Sequence, residues 1–185
     1  MNVLALDIGG KTRNGFALMD TESRELIKTS SIIYDNKLTP LDHRQKILQE
    51  VQSYYYYNEV DAIVFERVNL FRAGRISPLA NIMSLCKVQC IIIDNMSDLV
   101  DIYDVPVRTW KAISLNSAKA DKDDSVNLVQ KLYPMVDLKV PKYKKKESNE
   151  FIYNHDLADA ICIALAVAMD NKKKIINKTN KVNYL

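Results

Sequence analysis

At 185 residues the chain has room for one domain with a sizeable apolar core and not for two ordinary ones. With 48% hydrophobic and 26% charged residues it has the composition of a soluble globular protein, and no apolar run approaches the roughly 18 residues that span a bilayer, which argues against a membrane protein. The net charge of +3 is unevenly laid: from Leu138 to Leu185 ten lysines face five acids, leaving −2 for everything before, so the C-terminal end is a candidate polyanion-facing surface.

Val3 to Leu6 is a short apolar run that the chain enters at once, without the basic region and cleavage site of a signal peptide, so a cytoplasmic protein is expected. Gly15 to Met19 and Leu26 to Ile33 follow, and the three read as an antiparallel meander. Gly9, Gly10 and Gly15 are three of the four glycines and are taken together as one turn that uses positive φ. Thr39-Pro40 opens a helix carrying Leu41, Ile47, Leu48, Val51, Tyr54 and Tyr55, which the tyrosine run ends. Val60 to Phe65 is a buried strand that terminates in Glu66. Ser77-Pro78 starts a helix running through Leu79, Ile82, Met83 and Leu85 towards Val88. Leu99 to Tyr103 makes a fifth strand, and helices follow near Arg108–Ser114 and Asp121–Leu132, the second capped by Asp121. A lysine-rich loop, Pro141 to Lys146, leads to a last helix near Asn154–Met169. The polar tail from Lys172 lacks periodicity. Cys86, Cys90 and Cys162, odd in number and inside apolar segments, read as small core residues. This order predicts an α/β fold with a mixed five-stranded sheet flanked by helices, residues 1–170 forming one domain and residues 171–185 a basic, flexible tail.

Four carboxylates stand out. Asp7 and Glu66 each end an apolar strand, and parallel neighbours joined by a right-handed crossover would place the two acids side by side. Singly, an acid at a strand end is as well explained by solvation. Asp156 and Asp159, however, sit three apart on a helix that is apolar nearly all round, through Leu157, Ala160, Ile161, Cys162, Ile163, Leu165, Val167 and Met169. A buried ionised carboxylate without a partner costs several kcal/mol and must find a cation or a proton. Complementing the helix N-terminus explains Asp156 well and Asp159 poorly. An all-oxygen site suits Mg²⁺ or Mn²⁺, and a pair of such ions serves phosphodiester hydrolysis.

Leu4-Ala5-Leu6-Asp7-Ile8-Gly9 with Gly15, Phe65-Glu66-Arg67-Val68 and Asp156-Leu157-Ala158-Asp159-Ala160 together resemble the RuvC-like Holliday junction resolvases of the ribonuclease H-like superfamily. The likeness spans about residues 3 to 169 and looks closest to bacteriophage-type members, which would place the protein in a bacterial host's cytoplasm. The resemblance implies a homodimer that binds four-way and other branched DNA and makes paired nicks, leaving 5′-phosphate and 3′-hydroxyl ends. It implies that Asp7, Glu66, Asp156 and Asp159 are catalytic and hold two Mg²⁺ per site, Mn²⁺ being able to substitute. Arg108-Thr109-Trp110-Lys111 and Ser117-Ala118-Lys119-Ala120-Asp121-Lys122 resemble the family's basic stretch beside the site, so Lys111, Lys119 and Lys122 are candidate phosphate contacts whose binding would weaken with salt. Phe71 is the candidate for the aromatic that stacks at the junction opening, displaced by a few residues, with Arg72 and Arg75 beside it. His155 is a candidate metal neighbour or proton relay, His43 a weaker one. Leu79, Ile82, Met83 and Cys86 could serve core alone or core and a twofold contact together.

Two other function classes fit parts of the pattern. A non-cleaving branched-DNA-binding module would share the fold, but it gives no reason for four converging acids. Actin-like phosphotransferases also begin Asp-Ile-Gly-Gly, yet they need a second such domain and a longer chain.

Overall fold

The computed structural model describes residues 1–9, 13–33, 35–68, 71–72, 75–76, 79–141, 151–170 and 177–178. In chain order these form β1 (Asn2–Ile8), β2 (Arg13–Asp20), β3 (Leu26–Ile33), α1 (Pro40–Tyr57), β4 (Ala62–Glu66), β5 (Phe71–Arg72), β6 (Arg75–Ile76), α2 (Leu79–Met96), β7 (Asp101–Val105), α3 (Val107–Ser114), α4 (Lys122–Leu132), β8 (Lys139–Pro141), β9 (Phe151–Tyr153), α5 (His155–Met169) and β10 (Asn177–Lys178). The main sheet runs β10-β7-β4-β1-β2-β3. β1, β2 and β3 are the antiparallel meander, while β4 and β7 lie parallel to β1. The expected mixed five-stranded sheet is therefore present, and Asn177–Lys178, beyond residue 170, add a short antiparallel edge to β7.

Alternation along the strands sorts side chains between two layers. Leu4, Leu6, Phe16, Leu18, Ile63 and Phe65 pack with Ile47, Val51 and Tyr54 of α1 and with Val88, Ile92 and Met96 of α2. Val3, Ala5, Ala17, Met19, Ala62 and Val64 pack with Trp110, Val126, Val129 and α5 on the opposite face. Because β1, β2 and β4 are covered on both faces, they read in sequence as continuous apolar runs. Side-chain caps hold the helix starts. Thr39 accepts from the Asp42 N–H at 3.2 Å and Asp42 accepts from the Thr39 N–H at 3.2 Å, with Pro40 at the first helical position. Asp121 caps α4 by accepting from the N–H groups of Asp123 and Asp124 at 2.9 and 3.2 Å.

Several expectations shift. α2 continues to Met96 because Val88, Ile92 and Met96 recur every four residues and all are buried; Ser77 and Pro78 lie outside the described residues. Among the described residues α2 alone is long and apolar enough to cross a membrane, a feature that counting uninterrupted apolar runs overlooked, but its Ile82, Val88, Ile92 and Met96 are buried within the fold. β7 starts at Asp101 rather than Leu99 because the N–H groups of Leu99 and Val100 still donate to the Met96 carbonyl, at 2.9 and 3.0 Å, closing the helix. The ladders β5–β6 and β8–β9 were not anticipated. Of the lysine-rich loop, Pro141 ends β8 and residues 142–150 lie outside the described residues. Cys162 is fully buried as expected, whereas Cys86 and Cys90 are only half-buried on α2; all three are free thiols. Gly15 is not a turn residue. The Gly9 N–H donates to the Arg13 carbonyl at 3.1 Å, Gly10 lies outside the described residues, and Gly15 lies inside β2 opposite Asp7.

Candidate active site

The parallel register that sets Leu6 opposite Phe65 brings the next residues, Asp7 and Glu66, alongside one another at the C-terminal ends of β1 and β4. Asp7 shares the face of Val3 and Ala5, and Glu66 that of Ala62 and Val64, the layer that packs against α5. α5 delivers the other two acids. Asn154 caps it, its side chain accepting from the Leu157 N–H at 3.2 Å, and every residue from Leu157 to Val167 except Asp159 is buried. Asp156 and Asp159, three apart, both project from the first turns.

Small residues let α5 lie close to the sheet. Ala158, Ala160, Ala164 and Ala166 are fully buried, and the residues that β1 and β2 present to that layer include Ala5 and Ala17. Gly15 is the limiting case: a Cβ there would sit 2.1 Å from the Asp156 carbonyl oxygen and 2.7 Å from the Leu157 Cα. A bare backbone opposite Asp7 thus permits the helix start that carries Asp156. Replacing the cap, Asn154→Ala, should cost roughly 1 kcal/mol, read as a lower urea midpoint at unchanged slope.

The four acids share one electrostatic field. Burial first, then Glu66, Asp159 and Asp156, raise the Asp7 carboxyl well above the ordinary aspartate range, with Lys122 opposing. Burial and then Asp159 raise Asp156, against Lys122, Arg13 and His155. Burial raises Asp159 too, offset by Ser125, Lys111, His155 and Lys122. The Ser125 hydroxyl, fully buried, lies near enough to favour the charged form of Asp159 without reaching hydrogen-bond geometry, and Asp159 Oδ1 is buried with no hydrogen-bond partner. The Cys162 thiol beside it is pushed up to about 12 by burial and Asp159, so it stays protonated.

Glu66 is held from two sides. Its carboxylate Oε2 accepts from the Trp110 indole Nε1–H at 3.0 Å, and its carbonyl accepts from Gln89 Nε2 at 2.9 Å. Next to it, Arg67 pairs with Asp104 and donates its N–H to the Val105 carbonyl at 2.8 Å, tying the chain after β4 to β7.

The basic candidates divide. Lys122, exposed on the first turn of α4, acts on Asp7, Asp156 and Asp159. Lys111 also acts on Asp159, but its ammonium is committed to the Ala120 carbonyl at 2.7 Å and lies 5.5 Å from the Trp110 ring centre. Lys119 is exposed on the turn between α3 and α4 and contributes nothing to the carboxylates' shifts. His155 Nδ1 lies 3.1 Å from the Lys122 carbonyl, which only accepts, so Nδ1 carries the hydrogen. His43 is buried on the α1 side, 3.4 Å from Asn14 Nδ2, in the layer away from the acids. The backbones of Phe71, Arg72 and Arg75 form the β5–β6 ladder just after Glu66, and their side chains lie outside the described residues. Sequence reading missed Arg13, whose charge reaches Asp156, and gave Trp110 no role of its own. A polar N–H on a buried indole requires a partner, which was the available signal.

The arrangement suits a hard cation in its donor chemistry, four carboxylates and a buried unpartnered oxygen. Among the described residues no three carboxylate, imidazole or thiol groups converge closely enough to hold an ion as they stand.

By sequence the chain matches no protein family and no curated protein. By fold it is similar to RuvC of Thermus thermophilus, with a TM-score of 0.67 at 15% identity, 97% of this chain and 100% of that one being covered. The same protein in complex with a Holliday junction substrate gives 0.66 at 15% identity, over 97% and 99%. The yeast mitochondrial Holliday junction resolvase gives 0.54 at 14% identity, over 90% of this chain and 77% of that one. The chain thus has the RuvC-like, ribonuclease H-like fold along nearly its whole length.

Proposed function

We propose that the chain is a divalent-metal-dependent endonuclease for branched DNA, four-way junctions included. The observation that carries this reading is the gathering of Asp7, Glu66, Asp156 and Asp159 from three elements, where burial first and then the other three acids raise the Asp7 carboxyl well above its ordinary range. Burial outweighs the nearby bases at Asp159, whose Oδ1 makes no hydrogen bond among the described residues. Asp7, Glu66, Asp156 and Asp159 would hold Mg²⁺ or Mn²⁺, which when bound would neutralise charge at a phosphodiester and make a water more acidic. Around them Lys122 and Arg13 attract the DNA backbone, and His155, oriented through Nδ1, presents Nε2 for proton transfer. Hydrolysis that breaks the bond to the 3′ oxygen hands that oxygen a proton and leaves 5′-phosphate and 3′-hydroxyl ends.

Branched DNA is favoured because the structurally similar Thermus protein is described bound to a Holliday junction and the yeast protein is a Holliday junction resolvase. Beside the acids, β9 exposes Phe151, Ile152 and Tyr153, with Tyr153 opposite the exposed Lys139. Aromatic faces next to a cation suit unstacked bases. Phe151→Ala combined with Tyr153→Ala should weaken junction binding about tenfold or more, at ~1–3 kcal/mol per stacked base, with fold unchanged, as read by gel shift.

A second copy of the chain is the proposed partner on α2. Leu79 and Met83 are 70% and 48% exposed there, while Ile82 turns inward at 8%. An isologous contact would give two sites and hence paired nicks.

Incubation with a synthetic four-way junction, a fork and a linear duplex in Mg²⁺ or Mn²⁺ tests the reading. Ligatable nicks at the branch are expected. Binding without cleavage under every condition would instead make the chain a non-cleaving junction binder.

A further inference from the structure

Trp110 is the only tryptophan in the chain and is 0% exposed, yet it carries a polar N–H. That N–H is spent on Glu66 Oε2, at 3.0 Å. A buried indole in an all-apolar pocket would lose its hydrogen bond to water, so the pairing stabilises the tryptophan, but it also restrains the glutamate. Glu66 is the acid with the longest side chain among the four and the only one on β4, so its carboxylate has the most freedom to lose. α3 carries two further polar contacts, both from residues that follow Trp110. The Ser114 hydroxyl donates to the Trp110 carbonyl at 2.9 Å, and Lys111 bonds Ala120 at the far end of the following turn.

We infer that Trp110 is a positioning residue for metal binding: its indole N–H fixes one oxygen of Glu66 and presets that carboxylate for a divalent ion. The inference rests on the metal reading of the four acids. Outer partners of this kind, donating to a ligating carboxylate, orient it and raise the affinity of the site for its ion. Replacing the donor leaves the ligand itself in place and removes the hydrogen bond that fixes Oε2. The effect then falls on ion affinity and catalytic rate, not on DNA binding.

The test compares the wild type, Trp110→Phe and a wild-type chain carrying benzothienylalanine at position 110, which keeps the bicyclic shape and lacks the N–H. Mn²⁺ binding is measured by electron paramagnetic resonance of the free ion, and single-turnover junction cleavage is followed against Mn²⁺ concentration. Both replacements should weaken Mn²⁺ binding and slow cleavage at low Mn²⁺ by about 10- to 100-fold, with partial recovery at high Mn²⁺ and unchanged junction affinity in Ca²⁺. If Trp110→Phe fails to fold, the benzothienyl chain decides alone, since only the hydrogen bond is lost. Wild-type Mn²⁺ affinity and rate in the benzothienyl chain would overturn the inference. A wild type that binds no Mn²⁺ would overturn the metal reading beneath it, and the indole Nε1–H resonance of that chain, compared with Glu66→Ala, which has no side-chain acceptor, would show whether the hydrogen bond forms regardless.

Discussion

Asp7→Asn should abolish junction cleavage while leaving the protein folded, able to bind the junction, and more heat-stable in EDTA than the wild type. Loss of a carboxylate proposed to hold the metal would remove several kcal/mol of transition-state stabilisation, and at ~1.4 kcal/mol per tenfold that is a rate loss of about a thousandfold or more. Stability moves the other way because burial and the fields of Glu66, Asp159 and Asp156 oppose the charged form of Asp7. A carboxyl whose pKa is raised by folding binds a proton more readily folded than unfolded. Its penalty is therefore absent below the ordinary aspartate value of 3.8 and grows as pH rises through the raised one. In EDTA the wild type should lose stability as the pH is raised above the ordinary aspartate value of 3.8 towards the raised one, and Asp7→Asn should flatten the dependence. Each kcal/mol of repulsion relieved should lift the melting temperature by about 2–4 °C in a domain of this size. Mg²⁺ should give the wild type the same lift and the variant little. A variant that melts lower than the wild type in EDTA would show that Asp7 stabilises the fold, and a variant that still cleaves would remove it from the site.

Much of this site was legible because its elements carry strong one-dimensional signals. β1 and β4 are covered on both faces, so they appear as unbroken apolar runs, and the first acid after each run marks a strand end. α5 is buried over nearly its whole length, so two aspartates in it stand out against their surroundings. Juxtaposition across the sheet was a weaker inference. Only the register, Leu6 beside Phe65, converts two strand-end acids into a pair.

What escaped the sequence had no period or a degenerate one. The ladders β5–β6 and β8–β9 are two or three residues long, too short for alternation to declare itself. Trp110 was visible only as a member of a basic stretch, because its partner lies 44 residues away and reaches it through the fold. Arg13 was hidden by its place beside a glycine turn, where a basic residue is ordinarily solvated, and its influence on Asp156 is exerted by a residue 143 positions away in the chain. Gly15 was seen but misassigned, since glycine marks both positive φ and close approach, and a strand glycine looks the same as a turn glycine until its neighbour across the layer is known.

Gly15→Ala separates these two glycine roles and should be among the most damaging single-methyl changes in the chain. At a solvent-facing turn position an added Cβ costs little space. Here it would lie 2.1 Å from a backbone oxygen, 2.5 Å from the carbonyl carbon of Asp156 and 2.7 Å from the Leu157 Cα, and none of these is the end of a flexible side chain. α5 must move bodily, against a layer in which Ala158, Ala160, Ile161 and Ala164 are fully buried. Overpacking of this kind costs about 1–3 kcal/mol or more, so the melting temperature should fall by roughly 2–12 °C. The helix start that shifts is the one bearing Asp156, beside the β1 residue Asp7, so cleavage should fall by about 100-fold or more, as a misplacement of ~1 Å does. Two controls distinguish displacement from simple unfolding. At a temperature where Gly15→Ala is fully folded by circular dichroism, junction binding should persist while cleavage does not, and Ala17→Gly, further along the same face of β2, should lower stability with far less effect on rate. Full cleavage by a folded Gly15→Ala would show that α5 need not lie so close to the sheet for Asp7 and Asp156 to act together.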